Sequence, residues 1–384
     1  MAVPTGSTFF IWEFLLCVWT GGRPGFFYAQ GRVRKFAARA ARAPRGKQGY
    51  NLPCLIAQGR VRKFAVKAAR APHGEQGEIF PARFIVNSAC TPGFAGHGKG
   101  WFIMEITGVI DEVRKQVKEW RRQGLTVGLV PTMGYLHEGH KSLIDRAVAD
   151  NDRVVVSDFV NPIQFGVGED LATYPRDIEA DKKLCQQAGA HLIFHPEPCE
   201  MYAPDFSTYV EMQKVSEGLC GKTRPTHFKG VCTVVCKLFH IVMPDRAYFG
   251  QKDAQQLAVI RRMVRDLDMD IQIIGCPIIR EEDGLAKSSR NTYLNTEERK
   301  AALVLSKAVF CGEDMMRKGE RDAETILSAM RKLIEAEPLA RIDYVEMVDA
   351  DSIEPLTKAQ GRVLTAMAVY IGSTRLIDNF IMEV

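Results

Sequence analysis

Two short runs in this 384-residue sequence carry side chains suited to handling phosphate. The first, PTMGYLHEGH at 131–140, sets His137 and His140 three residues apart with Glu138 and Gly139 between them. At that spacing the imidazoles share one face of a helix's first turn, where unpaired backbone N–H groups and the positive end of the dipole favour an anion. They could donate to phosphate oxygens as charge builds during attack on an α-phosphorus, while Gly139 leaves room for close approach. The second run, GLAKSSRN at 284–291, crowds Lys287, Ser288, Ser289 and Arg290 together behind a glycine. A loop of this kind can fold over a triphosphate and offer hydroxyls and cations to its outer phosphates. Taken singly, each run has a plainer reading: exposed histidines at a helix start, and an ordinary polar loop.

The elements around them must bring the two runs together. From Met104 onward the pattern is regular: helix 109–123 closed by Gly124, strand 125–130, helix 140–149, strand 153–159, helix 178–188 and strand 191–195. Helices 229–242 and 254–267 and strands 247–250 and 271–275 follow. Strands alternating with helices predict a doubly wound (Rossmann-like) parallel sheet, which binds ligands at the carboxyl ends of its strands. Past Arg280 the texture changes to helices 296–317 and 323–336 and strands 341–348, 362–371 and 374–380. This predicts a smaller α+β domain. The fold class is therefore α/β, with 104–279 as the nucleotide-binding domain and 280–384 as a lid.

A histidine pair near the first strand and a Lys-Ser loop after the last resemble the adenylyl-transferring superfamily that includes class I aminoacyl-tRNA synthetases. Further runs narrow this. FVNPIQFG at 159–166, TYPRD at 173–177, GKTRPTHFKGV at 221–231, PDRAYFGQKDAQQL at 244–257 and REEDGLAKSSRNTYL at 280–294 resemble, in order and spacing, the pantothenate synthetase (pantoate–β-alanine ligase) family. The resemblance covers residues 104–384. It implies a cytoplasmic, homodimeric ligase that joins pantoate to β-alanine with ATP and Mg²⁺ through a pantoyl-adenylate. It further implies that Met133, Gly134, His137 and His140 hold ATP with Gly250, Lys252, Asp253 and Ile279, and that Lys287, Ser288, Ser289 and Arg290 close over the phosphates. His137, His140, Lys252 and Arg290 are the implied catalytic residues. Gln164 and Gln256 would grip pantoate, supported by Asn161, with Gln164 also near β-alanine. Arg224 is expected to reach the site. Two positions depart from the family: Gln251 where a Glu is common, and Lys287 where a hydrophobic residue is usual. Neither removes a group the chemistry needs.

The net charge of +5 conceals two parts. Residues 1–103 hold 15 basic and 3 acidic side chains, +12, whereas the remainder holds 36 and 43, −7. Nothing in the acidic part calls for nucleic acid. In the leader, AQGRVRKFAARAARAPRGKQG at 29–49 returns at 57–77 with 17 of 21 positions identical. A basic helix at 32–43 could tether nucleic acid or an anionic membrane. The favoured expectation is that 1–103 is disordered or an extension that does no work. Of the ten cysteines, seven scatter after residue 104 without CxxC spacing, as in a reducing compartment. Cys232, Cys236 and His240 recur every four residues, as metal ligands could, but their apolar surroundings predict a buried helix in which Cys acts as a small hydrophobe.

Overall fold

The computed structural model describes residues 104–384 and, before them, the backbone of three strands, β1 (Trp12–Thr20), β2 (Arg23–Arg32) and β3 (Lys35–Ala40). These three pair antiparallel in the order β1-β2-β3. The basic helix expected at 32–43 is corrected here: Arg32 pairs with Lys35 and the chain returns as strand. A lone helix of a dozen residues is marginal in water, so strand pairing overrides its Ala and Arg content. The second copy of the repeat lies outside the described residues, as do all positions of the 1–103 stretch that β1, β2 and β3 do not include.

The acidic part is built on β4 (Glu105–Thr107), β5 (Val127–Thr132), β6 (Arg153–Asp158), β7 (Leu192–Phe194), β8 (Arg246–Gly250) and β9 (Gln272–Cys276). All pair parallel, in the order β4-β7-β6-β5-β8-β9. From β5 the chain moves one way through β6 and β7, then resumes on the other side with β8 and β9. The order therefore reverses between β5 and β8, and a crevice opens there beyond the strand ends.

Helices cover both faces, so the strands are apolar on both sides. Leu129 and Val155 face α1 (Ile110–Arg122), α6 (His227–Val242) and α7 (Ala254–Asp266), whereas Val130, Val154 and Val156 face α2 (Glu138–Asp150) and α3 (Ile178–Ala188). Cys232 lies fully buried in the first of these cores, in its expected role as a small hydrophobe, while His240 is exposed. Two short helices, α4 (Pro198–Met201) and α5 (Cys220–Thr223), complete this part. With β4 they are too brief to leave a periodic signal in the sequence.

Where one helix was expected at 296–317 there are two, α8 (Thr296–Ala301) and α9 (Leu303–Arg317), which meet at fully buried Ala302. After α10 (Ala323–Glu335) come β10 (Ala340–Asp349), β11 (Arg362–Ile371) and β12 (Thr374–Glu383), an antiparallel sheet. Val369 and Ile371 pack on α9 and α10, whereas Leu364, Ala366 and Ala368 from the other face join the core of α6 and α7. That second contact carries β12 to the edge of the crevice. Among the described residues, no helix is long and apolar enough to cross a membrane.

Candidate active site

The chain leaves β5 through Gly134 and Tyr135, both at positive φ (79° and 53°), and enters α2 at His137. His137 caps the helix: its Nδ1 accepts from Gly139 N at 3.1 Å, and its own backbone N donates to His140 Nδ1 at 3.3 Å. Because both Nδ1 atoms accept, the ring proton of each imidazole sits on Nε2. Burial and then the Lys252 charge bring His137 down to about 4. Burial, His137 and Lys252 hold His140 well below its usual range. At neutral pH the helix mouth thus presents two uncharged Nε2–H donors, their ring centroids 4.1 Å apart. A Cβ on Gly139 would stand 2.8 Å from His137 Cε1 and 3.7 Å from Lys287 Cβ, so this glycine first seats the imidazole and the neighbouring loop.

The turn rests on two acids that sequence reasoning missed. Asp181 of α3 accepts from Tyr135 N and Leu136 N, both at 2.7 Å. Burial, and then Asp158 at the end of β6, push its carboxyl up to about 6. A Cβ on Gly134 would fall 2.4 Å from Asp158 Oδ1, so only glycine fits. One signal was available: Asp181 occupies the same buried stripe of α3 as Cys185 and Ala188.

A cavity of about 200 Å³ opens where the sheet order reverses. Met133, His137 and His140 line it from the first turn; Asn161 and Gln164 from the segment after β6; Gly250, Lys252, Asp253 and Gln256 from the end of β8 and the start of α7; and Ile279 with Lys287, Ser288, Ser289 and Arg290 from the far side. Gly134 is the one implied nucleotide residue that shapes the turn without lining the cavity. Arg224 opens instead on an adjoining space of about 610 Å³ that shares Lys252, Asp253, Gln256, Ser288 and Arg290.

Buried Gln164 has its carbonyl engaged by Asn161 Nδ2 at 3.0 Å, and Asn161 is itself held by Tyr202 OH at 2.7 Å and by the carbonyl of Gly230 at 3.1 Å. The Gln164 amide meets only the thioether of Met133, a weak acceptor that a carboxylate or hydroxyl would readily replace. Arg290 is paired through two nitrogens with Asp170 (2.9 and 3.0 Å), and Arg224 likewise with Glu169. Lys287 reaches Glu138 at 2.9 Å, and the Ser289 hydroxyl reaches the Tyr135 carbonyl at 3.4 Å, so the loop closes onto the histidine turn. From β12, Asn379 donates to the carbonyls of Gln251 and Lys252 (3.1 and 2.8 Å) and holds the lysine's backbone. Nothing local in the sequence marks Asn379, which lies over a hundred positions away.

This geometry has known counterparts. The family model described as "Pantoate-beta-alanine ligase" matches residues 105–381. The chain belongs to that family. It is 62% identical over 277 residues to the pantothenate synthetase of Ruminiclostridium cellulolyticum, covering 72% of this chain and 98% of that one. It is 60% identical over 277 residues to that of Clostridium acetobutylicum, covering 72% and 99%. Among solved structures, pantothenate synthetase from Thermus thermophilus superposes with a TM-score of 0.69 at 44% identity, over 72% of this chain and 99% of that one. The pantoate-beta-alanine ligase from Francisella tularensis, solved in complex with beta-gamma ATP and beta-alanine, superposes with a TM-score of 0.60 at 32% identity, over 72% and 97%. The protein is thus an enzyme of the ligase class, on the Rossmann-like α/β fold expected for its residues from 104 onward.

Proposed function

We propose that the enzyme condenses pantoate with β-alanine in two steps, with ATP activating the carboxylate as pantoyl-adenylate. The carrying observation is that two neutral imidazole donors, Lys252, Ser288 and the Gln164 carboxamide share one cavity at the switch point of a parallel sheet. The bound nucleotide would have adenine by Ile279, ribose hydroxyls on Asp253 and phosphates across the mouth of α2. The Francisella complex, with its beta-gamma ATP and beta-alanine, supports the choice of ligands.

A pantoate carboxylate oxygen attacks the α-phosphorus, the bond to the bridging oxygen breaks and pyrophosphate leaves. Both reactants are anions, so the barrier is largely electrostatic, and His137, His140, Lys252 and Arg290 lower it by meeting the growing charge. Gln164 and Gln256 orient pantoate without adding charge of their own. The β-alanine amine, near Gln164, then attacks the acyl carbon; AMP departs and the amine gives up a proton to form the amide. Mg²⁺ enters as part of the nucleotide substrate, bound to its phosphates. Among the described residues no group of three or more His, Cys, Asp and Glu side chains is placed to cage a metal. Residues 280–384 act as a lid over the adenylate, a role supported by the reach of Asn379 to Lys252.

We assign the enzyme to a reducing cytoplasm, where free thiols such as those of Cys185 and Cys232 persist, and to a homodimer, checked by its mass in light scattering. Incubation with ATP and pantoate alone should release pyrophosphate to about one equivalent per site, with AMP appearing only once β-alanine is added. Release of ADP and phosphate instead would mean an acyl phosphate and end the adenylate reading. Gln164→Ala should raise KM for pantoate more than for ATP.

A further inference from the structure

Asp158 and Asp181 take no part in the chemistry proposed above, yet both are almost wholly buried, 4% and 2% exposed, directly behind the histidine turn. Asp181 has both oxygens engaged by backbone N–H groups of that turn. Asp158 Oδ1 stands 3.5 Å from His195 Nδ1, while its Oδ2 is buried with no partner. A Cβ built on Gly134 would lie 2.4 Å from Asp158 Oδ1 and 3.3 Å from Asp181 Oδ2, so the two carboxyls meet beneath this residue. The two short N–H bonds that Asp181 accepts tie it directly to the backbone of the turn.

We propose that Asp158 and Asp181 are positioning residues for adenylyl transfer. Asp181 grips the N–H groups of Tyr135 and Leu136, Asp158 packs beside it beneath Gly134, and the positive-φ turn so fixed aims His137 and His140 at the nucleotide. Tyr135 holds φ 53°, a conformation that a non-glycine residue keeps only when its surroundings enforce it. The two acids come from different elements, and both reach the same three-residue turn. The residues that would bind pantoate, Gln164 and Gln256, stand on other elements, so loosening the turn should affect the nucleotide first. The inference rests on the reading of the two histidines as phosphate donors.

Pantoate-dependent exchange of pyrophosphate into ATP tests it, measured on the full chain with KM for each substrate. Asp158→Asn keeps the size and polarity of the buried side chain and should stay within about twofold of wild type, whereas Asp158→Ala and Asp181→Asn should lose about tenfold or more in rate. Their KM for ATP should rise while KM for pantoate moves less than about twofold. Three outcomes would overturn the proposal: Asp158→Asn as slow as Asp158→Ala, Asp181→Asn at the wild-type rate, or equal weakening of both substrates, the mark of a general structural defect. His140→Ala separates this inference from the one beneath it. If that variant exchanges normally, the phosphate-donor reading fails; if it is slow while Asp181→Asn is fast, only the positioning role fails.

Discussion

A single residue contributes to this site according to what already holds it. Neutral His140 has its Nδ1 occupied, so its Nε2–H is committed to whatever fills the cavity. His140→Ala and Lys252→Ala should each lower kcat by on the order of a hundredfold, the usual cost of a lost transition-state donor; steady-state assays giving wild-type rates would remove that residue from the mechanism. Arg290 is differently placed, because Asp170 already accepts two of its hydrogen bonds. To reach a triphosphate the guanidinium must leave or share that carboxylate. Asp170→Asn should therefore lower KM for ATP by about fivefold, the equivalent of an ion pair of about 1 kcal/mol no longer competing. A KM that rises instead would show that Asp170 orders its loop more than it opposes the nucleotide. The histidine pair and the Lys287–Arg290 run stood out because their chemistry is written in short local runs of residue types, whereas Lys252 was singled out only by the resemblance to the family. Asp158, Asp181 and Asn379 were not, because their significance lies in contacts between residues distant in the sequence.

At the scale of elements, glycines decide how closely the parts approach. Gly230 lies in the interior of α6, where alanine would ordinarily be favoured by about 1 kcal/mol. Here a Cβ would come 2.4 Å from Gln164 Cα and 2.5 Å from the Ile163 carbonyl. Both obstacles are backbone, which cannot swing aside as a side chain would. Gly230→Ala should thus push α6 away from the 162–164 turn, destabilise the fold by about 1–3 kcal/mol despite its better helix propensity, and raise KM for pantoate through displacement of Gln164. A higher melting temperature with unchanged KM would show that the contact yields. The sequence predicted α6 within two residues of its observed start, since apolar periodicity fixes a helix, yet it was silent about this contact, since periodicity says nothing of what crosses the helix. The division of 296–317 at Ala302 escaped for a related reason: no Pro or Gly marks it, and packing alone sets it. The basic helix at 32–43 failed in the other direction, when local propensity lost to strand pairing.

Across the whole molecule, buried imidazoles tie stability to the same protonation state that the chemistry needs. His137, His191 and His227 are each brought down to about 4, with burial the first cause, and burial likewise holds His140 well below its ordinary range. Unfolding returns each to its ordinary value of about 6.5, so between roughly pH 4 and 6.5 the unfolded chain binds more protons than the folded one. The stability these groups contribute is therefore complete above about pH 6.5 and is lost as pH falls through that window. Asp181 acts in the opposite sense: raised to about 6, it holds a proton in the folded state that the unfolded chain releases between roughly pH 4 and 6. Four imidazoles outweigh one carboxyl, so near pH 5 unfolding should take up roughly two to three protons, and stability should fall by roughly 3 kcal/mol per pH unit. Urea midpoints should stay level from pH 8 to 7 and drop steeply between 6 and 5, and His191→Gln, remote from the cavity, should flatten the drop by about one proton's worth. Midpoints level down to pH 5 would mean that the imidazoles accept protons in the folded state. The cavity would then present cations at acid pH, and the neutral Nε2–H donors assigned to adenylyl transfer would lose their physical basis.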